Sequence, residues 1–187
     1  MRVVIVYESI WGNTAMIAQA IARRLESFGE VRLVPVLEAG PGVALGADLL
    51  VVGGPTHAHG MSRASSRRSA AGSERVKGAP CGPGVREWLQ RLPHGDGTWV
   101  ATFDTRLDKP RWLVGAASVA ISRRLKQRGY RQIVPPESFF VLDKAGPLKA
   151  GEIDRADAWP GLLGERVADE LVRKRASTPE PLGAAPY

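Results

Sequence analysis

The sequence predicts an α/β fold: a doubly wound, five-stranded parallel sheet with helices on both faces. Short apolar runs alternate with segments of helical periodicity, which is the pattern of repeated β-α-β units. The first apolar run, Val3 to Tyr7, lacks the polar alternation of a half-exposed strand and so predicts a strand covered on both sides. A chain of 187 residues with a hydrophobic fraction of 44% is most simply one domain with a sizeable core.

Each predicted element follows from local pattern. Strands are predicted near residues 2–7, 31–36, 48–53, 98–103 and 132–142. Helices are predicted near residues 13–28, 84–92, 114–129 and 152–175. Pro135 and Pro136 remove two donors from the last strand, which places it at a sheet edge or at a break. Pro160 and Gly161 predict a kink in the last helix or its division into two pieces.

One connection is unusually long. Residues 55–83 have few apolar anchors, and they exceed the ~12–15 residues beyond which structureless loops become uncommon. We therefore expect a mobile loop near residues 61–83, with residues 62–78 as a cover outside the folding core. The domain is expected to span residues 1–175, and the Pro- and Ala-containing residues 176–187 are expected to form a disordered tail.

The most informative segment joins the first strand to the first helix. Ser9, Gly12, Asn13 and Thr14 supply hydroxyls and a flexible backbone where the helix begins, and a helix N-terminus attracts anions. The loop has no lysine and matches neither the nucleotide triphosphate loop nor the dinucleotide motif, so it is expected to bind one terminal phosphomonoester. The alternative is a helix N-cap made by Ser9 or Asn13 with no ligand.

The spacing of these residues resembles the signature of the flavodoxins, whose loop binds the phosphate of FMN. The matching positions are Ser9, Gly12 and Thr14, followed by Ala18 and Ile21. The chain departs from the family at Trp11, where flavodoxins usually have a second hydroxyl. The resemblance covers most of the chain and implies the flavodoxin-like strand order 2-1-3-4-5 and FMN as the cofactor.

Ligands of open parallel sheets bind beyond the carboxyl ends of the strands, where three loops are predicted to meet. The second loop resembles the second FMN loop of the family at Gly54, Pro55 and Thr56. The third, after the fourth strand, is similar mainly in position. The cofactor-binding residues implied are Ser9, Ile10, Trp11, Gly12, Asn13 and Thr14 in the first loop, Pro55, Thr56, His57, His59 and Gly60 in the second, and Phe103, Asp104, Thr105 and Arg106 in the third.

Flavodoxins commonly place the flavin ring between a tryptophan of the second loop and a tyrosine of the third. The second connection has no aromatic residue before Cys81, so His57, His59 or Met61 would cover that face of the ring. Trp11 and Trp112 are candidate substitutes, with packing against the sheet as the alternative role. The pair His57 and His59 lacks further ligands at zinc-site spacing, so neither a metal site nor a catalytic residue is predicted.

Positive charge concentrates in the second half of the chain. Residues 106–131 carry eight Lys and Arg residues against Asp108 alone, whereas the net charge of the whole chain is +7. Arg106, Lys109 and Arg111 follow the fourth strand and are expected near the pyrimidine side of the flavin, where they would favour its anionic reduced form. The expected partner is a redox protein or a small electron acceptor of negative charge, because the chain is basic, unlike most flavodoxins.

These features predict an FMN-binding protein in electron transfer, either a carrier or a small reductase of quinone-like acceptors. One alternative is a non-redox module that binds an acidic partner or nucleic acid, although no nucleic-acid motif is present. Another is a flavodoxin-type protoporphyrinogen oxidase at a membrane surface, so peripheral membrane contact stays open. A single cysteine, a strand at the N-terminus and the lack of a long apolar run lead us to expect a cytoplasmic protein without a signal peptide.

Overall fold

The computed structural model describes residues 1–57, 59–71 and 82–177. Seven strands are present in these ranges: β1 Arg2–Tyr7, β2 Glu30–Pro35, β3 Leu49–His57, β4 Gly60–Met61, β5 Trp99–Leu107, β6 Arg131–Gln132 and β7 Glu137–Val141. The α-helices are α1 Asn13–Leu25, α2 Ala64–Ala71, α3 Val85–Arg91, α4 Arg111–Val114, α5 Ala117–Gln127 and α6 Glu152–Ser177. A 3-10 turn, Glu26–Phe28, extends α1.

The sheet has the predicted order. Strands β2, β1, β3 and β5 are neighbours in parallel pairs, and both β6 and β7 pair with β5 at the edge. The predicted fifth strand is thus divided in two at Pro135 and Pro136, because neither proline can donate a ladder hydrogen bond. Counting β6 and β7 as one interrupted strand gives the order 2-1-3-4-5, which confirms the predicted doubly wound fold.

Helices cover both faces of the sheet, as predicted. On one face, α1 and α6 pack over a cluster that contains Ile5, Ile21 and Phe103. On the other face, α3 and α5 pack over a cluster that contains Val52, Trp88 and Ile121. Residues 3–6 of the central strand β1 and the first four residues of β3 are continuous apolar runs, since neither face of the sheet meets water there.

Several predicted boundaries are wrong in ways that bear on function. Strand β3 continues to His57 and β5 to Leu107, so the predicted second and third loops begin as extended strand and not as coil. The predicted helix 114–129 is the shorter helix α5, which begins at Ala117 because Gly115 adopts φ +77° and ends the preceding helix α4 at Val114. Helix α6 runs continuously from Glu152 to Ser177 with Pro160 inside it, so it is not divided.

The long connection after β3 contains regular structure. Residues Gly60–Met61 turn back as β4 and pair antiparallel with the end of β3, and α2 follows at once. The first part of the connection is therefore regular, and the expected mobility of residues 61–83 stays a prediction. Cys81 and the tail after Ser177 lie outside the described residues. Within the described part of the chain, no helix is long and apolar enough to cross a membrane.

The close approach of β3 to β5 gives a first prediction. A Cβ atom added at Gly53 would lie 2.1 Å from the Phe103 ring, so Gly53→Ala should overpack the core and lower the free energy of unfolding by about 1–3 kcal/mol. Gly54→Ala is the matched control, because its nearest neighbours would lie at 3.8 Å. Chemical denaturation of both variants makes the comparison, and Phe103→Leu should partly rescue Gly53→Ala. Equal losses for the two alanine variants would contradict this packing.

Candidate functional site

A cavity of about 410 Å³ lies at the carboxyl edge of the parallel sheet, where the ends of β1, β3 and β5 meet. This size is within the range of small-molecule sites. Ten of the predicted site residues line it: Ile10, Trp11, Asn13, Thr14, Pro55, Thr56, His57, His59, Thr105 and Arg106. The structure therefore brings residues from all three predicted loops to one place, as expected for an open sheet.

The first loop ends in helix α1 with unpaired backbone donors. The hydroxyl of Ser9 accepts a hydrogen bond from the Ala15 amide at 3.2 Å, and the Met16 amide donates to the Gly12 carbonyl. Among the described residues, the amides of residues 12–14 donate to no acceptor. Gly12 adopts φ +88°, a conformation that turns the chain sharply into the helix and favours glycine. The Ser9 hydroxyl thus satisfies one amide of the first turn, and three amides stay available for an anion.

The first and third loops are joined by a hydroxyl pair. Thr14 Oγ1 and Thr105 Oγ1 lie 2.7 Å apart, and both side chains are buried. In such a pair one hydroxyl donates and the other accepts, so Thr14 can accept from Thr105 while its own hydrogen points to a ligand. The pair therefore fixes Thr14 at the start of α1 with a donor available toward the cavity.

The buried carboxylate of Asp104 organises the neighbouring loops. Its Oδ2 accepts hydrogen bonds from the Thr56 hydroxyl at 3.1 Å, the Ser118 amide at 2.9 Å and the Ser118 hydroxyl at 3.0 Å. Thr56 Oγ1 in turn accepts from the Ala117 amide at 2.8 Å. Burial raises the pKa of Asp104, and the bonds from Ser118 and Thr56 oppose that rise. Asp104 is fully buried and does not line the cavity, so its predicted contact with the cofactor is replaced by a positioning role.

The aromatic wall of the cavity consists of Trp11 and His57. Their rings stack with centroids 5.2 Å apart and an interplanar angle of 23°. Burial lowers the pKa of His57, and the charge of Arg67 lowers it further, so the imidazole is neutral near pH 7. Its Nε2 is buried and has no hydrogen-bond partner among the described residues. Trp112 is 83% exposed and does not line the cavity, so of these two candidate tryptophans it is Trp11 that lies in the cavity wall.

Arg106 is the cation built into the cavity wall. Its side chain is only 8% exposed, and Nη1 donates to the carbonyls of Leu107 at 3.1 Å and Lys109 at 2.5 Å. The guanidinium lies 4.9 Å from the centre of the Phe140 ring. Its Nε is buried and unpaired within the described residues. By contrast, Lys109 and Arg111 are exposed and outside the cavity lining, which separates the three cations that the sequence grouped together.

Some predicted site residues lie elsewhere. Phe103 is fully buried in the core, where it packs against Phe139 and Trp159, so its side chain lies outside the cavity lining and its contact with a cofactor stays a prediction. Gly60 lies in β4 beside the cavity but outside its lining. Ser9 and Gly12 line a second cavity, of about 320 Å³, and not the first.

The sequence reading missed five cavity residues. They come from β5, α4, β7 and the loop after β7: Leu107, Leu113, Val114, Val141 and Lys144. The apolar members carry no sequence signal that separates them from core residues. Lys144 lies about 130 residues from the first loop along the chain, and only the sheet brings the two together.

A buried polar network attaches α2 to the residue that precedes the first loop. Glu8 is 5% exposed, and it accepts hydrogen bonds from the Ser62 hydroxyl and from the Val85 amide at 2.9 Å. Arg67 donates to Ser62 Oγ at 2.8 Å and to Glu87 Oε2 at 3.0 Å. The start of the expected cover is thus fastened to the site. Whether residues 62–78 move stays a prediction.

Comparison with known proteins supports the same architecture. No family model matches the sequence, and no curated protein is similar to it. Among solved structures, a flavodoxin from the domain Archaea has a TM-score of 0.63 at 17% identity, covering 90% of this chain and 99% of its own. Flavodoxin 1 from Bacillus cereus has a TM-score of 0.63 at 14% identity, covering 90% and 98%. A flavodoxin, WrbA-like protein from Agrobacterium tumefaciens has a TM-score of 0.55 at 15% identity, covering 90% and 98%. The chain therefore has a flavodoxin-like fold.

The pKa of Asp104 gives a second prediction. Because that pKa is raised in the folded state, the folded protein holds the proton more tightly, and wild-type stability falls as pH rises from about 4 through the folded pKa. Asp104→Asn cannot ionise, so its free energy of unfolding relative to wild type should increase over that window. Denaturant titrations between about pH 4 and 8 measure it, with exposed Asp96→Asn as control. A difference independent of pH would mean that Asp104 titrates alike in both states.

Proposed function

We propose that this chain binds FMN in the 410 Å³ cavity and transfers electrons through it, as a carrier or as a small reductase of quinone-like acceptors. One observation carries the proposal. The first turn of α1 presents unpaired amides beside Asn13 and Thr14, and these two residues share their cavity with Trp11 and Arg106. A site with an anion-binding end, an aromatic wall and a buried cation suits a ligand with one phosphate and one flat ring.

The residues present fit FMN part by part. The phosphate would be held by the amides of residues 12–14 and the Thr14 hydroxyl. The ring would lie against Trp11 and the apolar side chains of Leu113 and Val114. His57 Nε2 is a buried polar atom without a partner in the described residues, which a heteroatom of the ring could satisfy. When bound, FMN would supply reversible electron transfer.

Arg106 gives the site its electrostatic character. A nearly buried guanidinium on the cavity wall stabilises negative charge on a bound ring, because screening by water is weak there. Asp104, the neighbouring carboxylate, opposes this field only when ionised, and its raised pKa limits that opposition. The chain's own contribution to redox chemistry is therefore to favour the reduced, negatively charged state of the ligand.

The rim of the cavity suits a negatively charged partner or acceptor. Lys109 and Arg111 are exposed there, and Trp112 and Leu113 are 83% and 48% exposed on the short helix α4. Exposed tryptophan and arginine are enriched at interfaces, and complementary charge accelerates encounter. A non-redox module that bound an acidic partner through these charges would leave the unpaired amides and the cavity unexplained. Titration with flavin separates this alternative from the proposed FMN-binding function.

The phosphate loop gives a third prediction. The purified protein should bind FMN in preference to riboflavin, and Thr14→Ala should weaken FMN binding much more than riboflavin binding. Each lost charge-assisted hydrogen bond costs about 1.5–3 kcal/mol. Quenching of flavin fluorescence measures both affinities. Ser27→Ala is the control, because its hydroxyl donates to Arg24 near the far end of α1. Equal losses for the two ligands would argue against a phosphate site.

Arg106 gives a fourth prediction. Arg106→Gln should lower the midpoint potential of bound FMN, because the reduced ring loses a cation that at ~4 Å and an effective dielectric of 20 contributes roughly 4 kcal/mol before screening. Lys109→Gln and Arg111→Gln should have smaller effects, since both side chains are exposed and outside the cavity lining. Arg106→Lys keeps the charge and should retain most of the potential. Spectroelectrochemical titration at low salt measures all four. Equal shifts in the three Gln variants would show that Arg106 has no special position.

A further inference from the structure

We propose that Lys144, in the loop between β7 and α6, binds the phosphate group of the ligand and supplies the cation that the first loop lacks. This inference rests on the proposed function. It adds a fourth chain segment to a site that the sequence assigned to three, and it names the residue that selects a phosphorylated flavin over an unphosphorylated one.

The loop of residues 142–148 is fastened to the N-terminus of α1. Asn13 Nδ2 donates to the Ala145 carbonyl at 3.2 Å, which joins the first helical position to the loop. Gly146 packs so closely that a Cβ atom there would lie 2.5 Å from Asn13 Nδ2, and its φ of +95° also favours glycine. The Gly146 amide donates to the Asp143 carbonyl at 2.9 Å and closes the turn that carries Lys144.

This attachment brings Lys144 to the cavity. Its side chain lines the cavity together with Asn13 and Thr14, although the residue is otherwise exposed. In the part of the chain that the structure describes, no carboxylate pairs with Lys144 within 4.0 Å. Lys149, five residues later, is paired with Asp108 at 2.6 Å and does not line the cavity. The two lysines of this loop region therefore differ: Lys149 is paired with a carboxylate, whereas Lys144 has no such partner among the described residues and is available to bind an anion.

The charge of the ligand explains why a lysine is needed. A phosphomonoester carries a charge between about −1.5 and −2 at neutral pH, whereas a helix N-terminus offers only about half a positive charge. The first loop contains no Lys or Arg, and Arg106 lies on the third loop with its guanidinium tied to the carbonyls of Leu107 and Lys109. An ammonium on a flexible stem beside Asn13 can approach the phosphate from the solvent side. Riboflavin, which has no phosphate, gains nothing from it.

The test compares three variants with two ligands. FMN and riboflavin affinities are measured by quenching of flavin fluorescence for wild type, Lys144→Gln, Lys144→Arg and Lys149→Gln, at low and high salt. We expect Lys144→Gln to weaken FMN at least tenfold at low salt and to change riboflavin by less than twofold. Lys144→Arg should stay within about threefold of wild type for FMN, and Lys149→Gln should match wild type for both ligands. High salt should shrink the loss in Lys144→Gln, because a partly exposed ion pair is screened.

Each other outcome overturns the inference in a distinguishable way. Unchanged FMN affinity in Lys144→Gln, with wild type binding FMN, removes the lysine from the site and leaves the proposed function intact. Equal losses of FMN and riboflavin show that Lys144 shapes the loop and does not contact phosphate. Equal losses of FMN affinity in Lys144→Gln and Lys149→Gln would mean that the positive charge of this region as a whole, and not Lys144 in particular, favours the phosphate. A wild-type protein that binds neither flavin overturns the proposed function and this inference together.

Discussion

The burial of Asp104 is the constraint around which the carboxyl edge of the sheet is arranged. A fully buried carboxylate must be hydrogen-bonded, because an unpaired one costs several kcal/mol. Oδ2 of Asp104 meets that requirement through Thr56 on β3 and Ser118 on α5, whereas its buried Oδ1 has no partner among the described residues. Thr56 is fixed further by the Ala117 amide, so β3, β5 and α5 are joined at one point. The next residue along β5, Thr105, then reaches Thr14 at the start of α1.

Many of the site residues at the carboxyl edge of the sheet lie on regular secondary structure, although several of them are polar and face a cavity. The second segment of the site is an extension of β3 closed by β4, and the third is an extension of β5. Both therefore keep ladder hydrogen bonds, with Pro55 opposite Thr105 in the β3–β5 register. A site built on paired strands is held more rigidly than one built on free loops. The apolar surface beneath it, where Phe103 packs against Gly53, supplies the stability on which that rigidity depends.

Positive potential in the cavity comes from groups far apart in the chain. The first turn of α1 contributes amides, β5 contributes Arg106, and the loop after β7 contributes Lys144. The high net charge of the sequence does not predict that positive charge gathers at the cavity. Many of the cations instead lie on solvated surfaces such as the end of α5. Burial is what separates Arg106 from Lys109 and Arg111: a charge shielded from water acts over a longer range than one in solvent.

The resemblance to the flavodoxins implied the strand order, whereas the sequence by itself determined the fold class and the first loop. These follow from local rules: apolar runs, helical periodicity, and hydroxyl and glycine residues at a helix start. It did not determine where β3 and β5 end, because Pro55 and Thr105 resemble loop residues until a partner strand supplies hydrogen bonds. It also placed Phe103 at the ligand, although the ring fills the space left by Gly53. Only the tertiary structure brought the loop that carries Lys144 to Asn13, which donates a hydrogen bond to the Ala145 carbonyl. That contact depends on a sheet that joins distant segments, and no local pattern encodes such a distance.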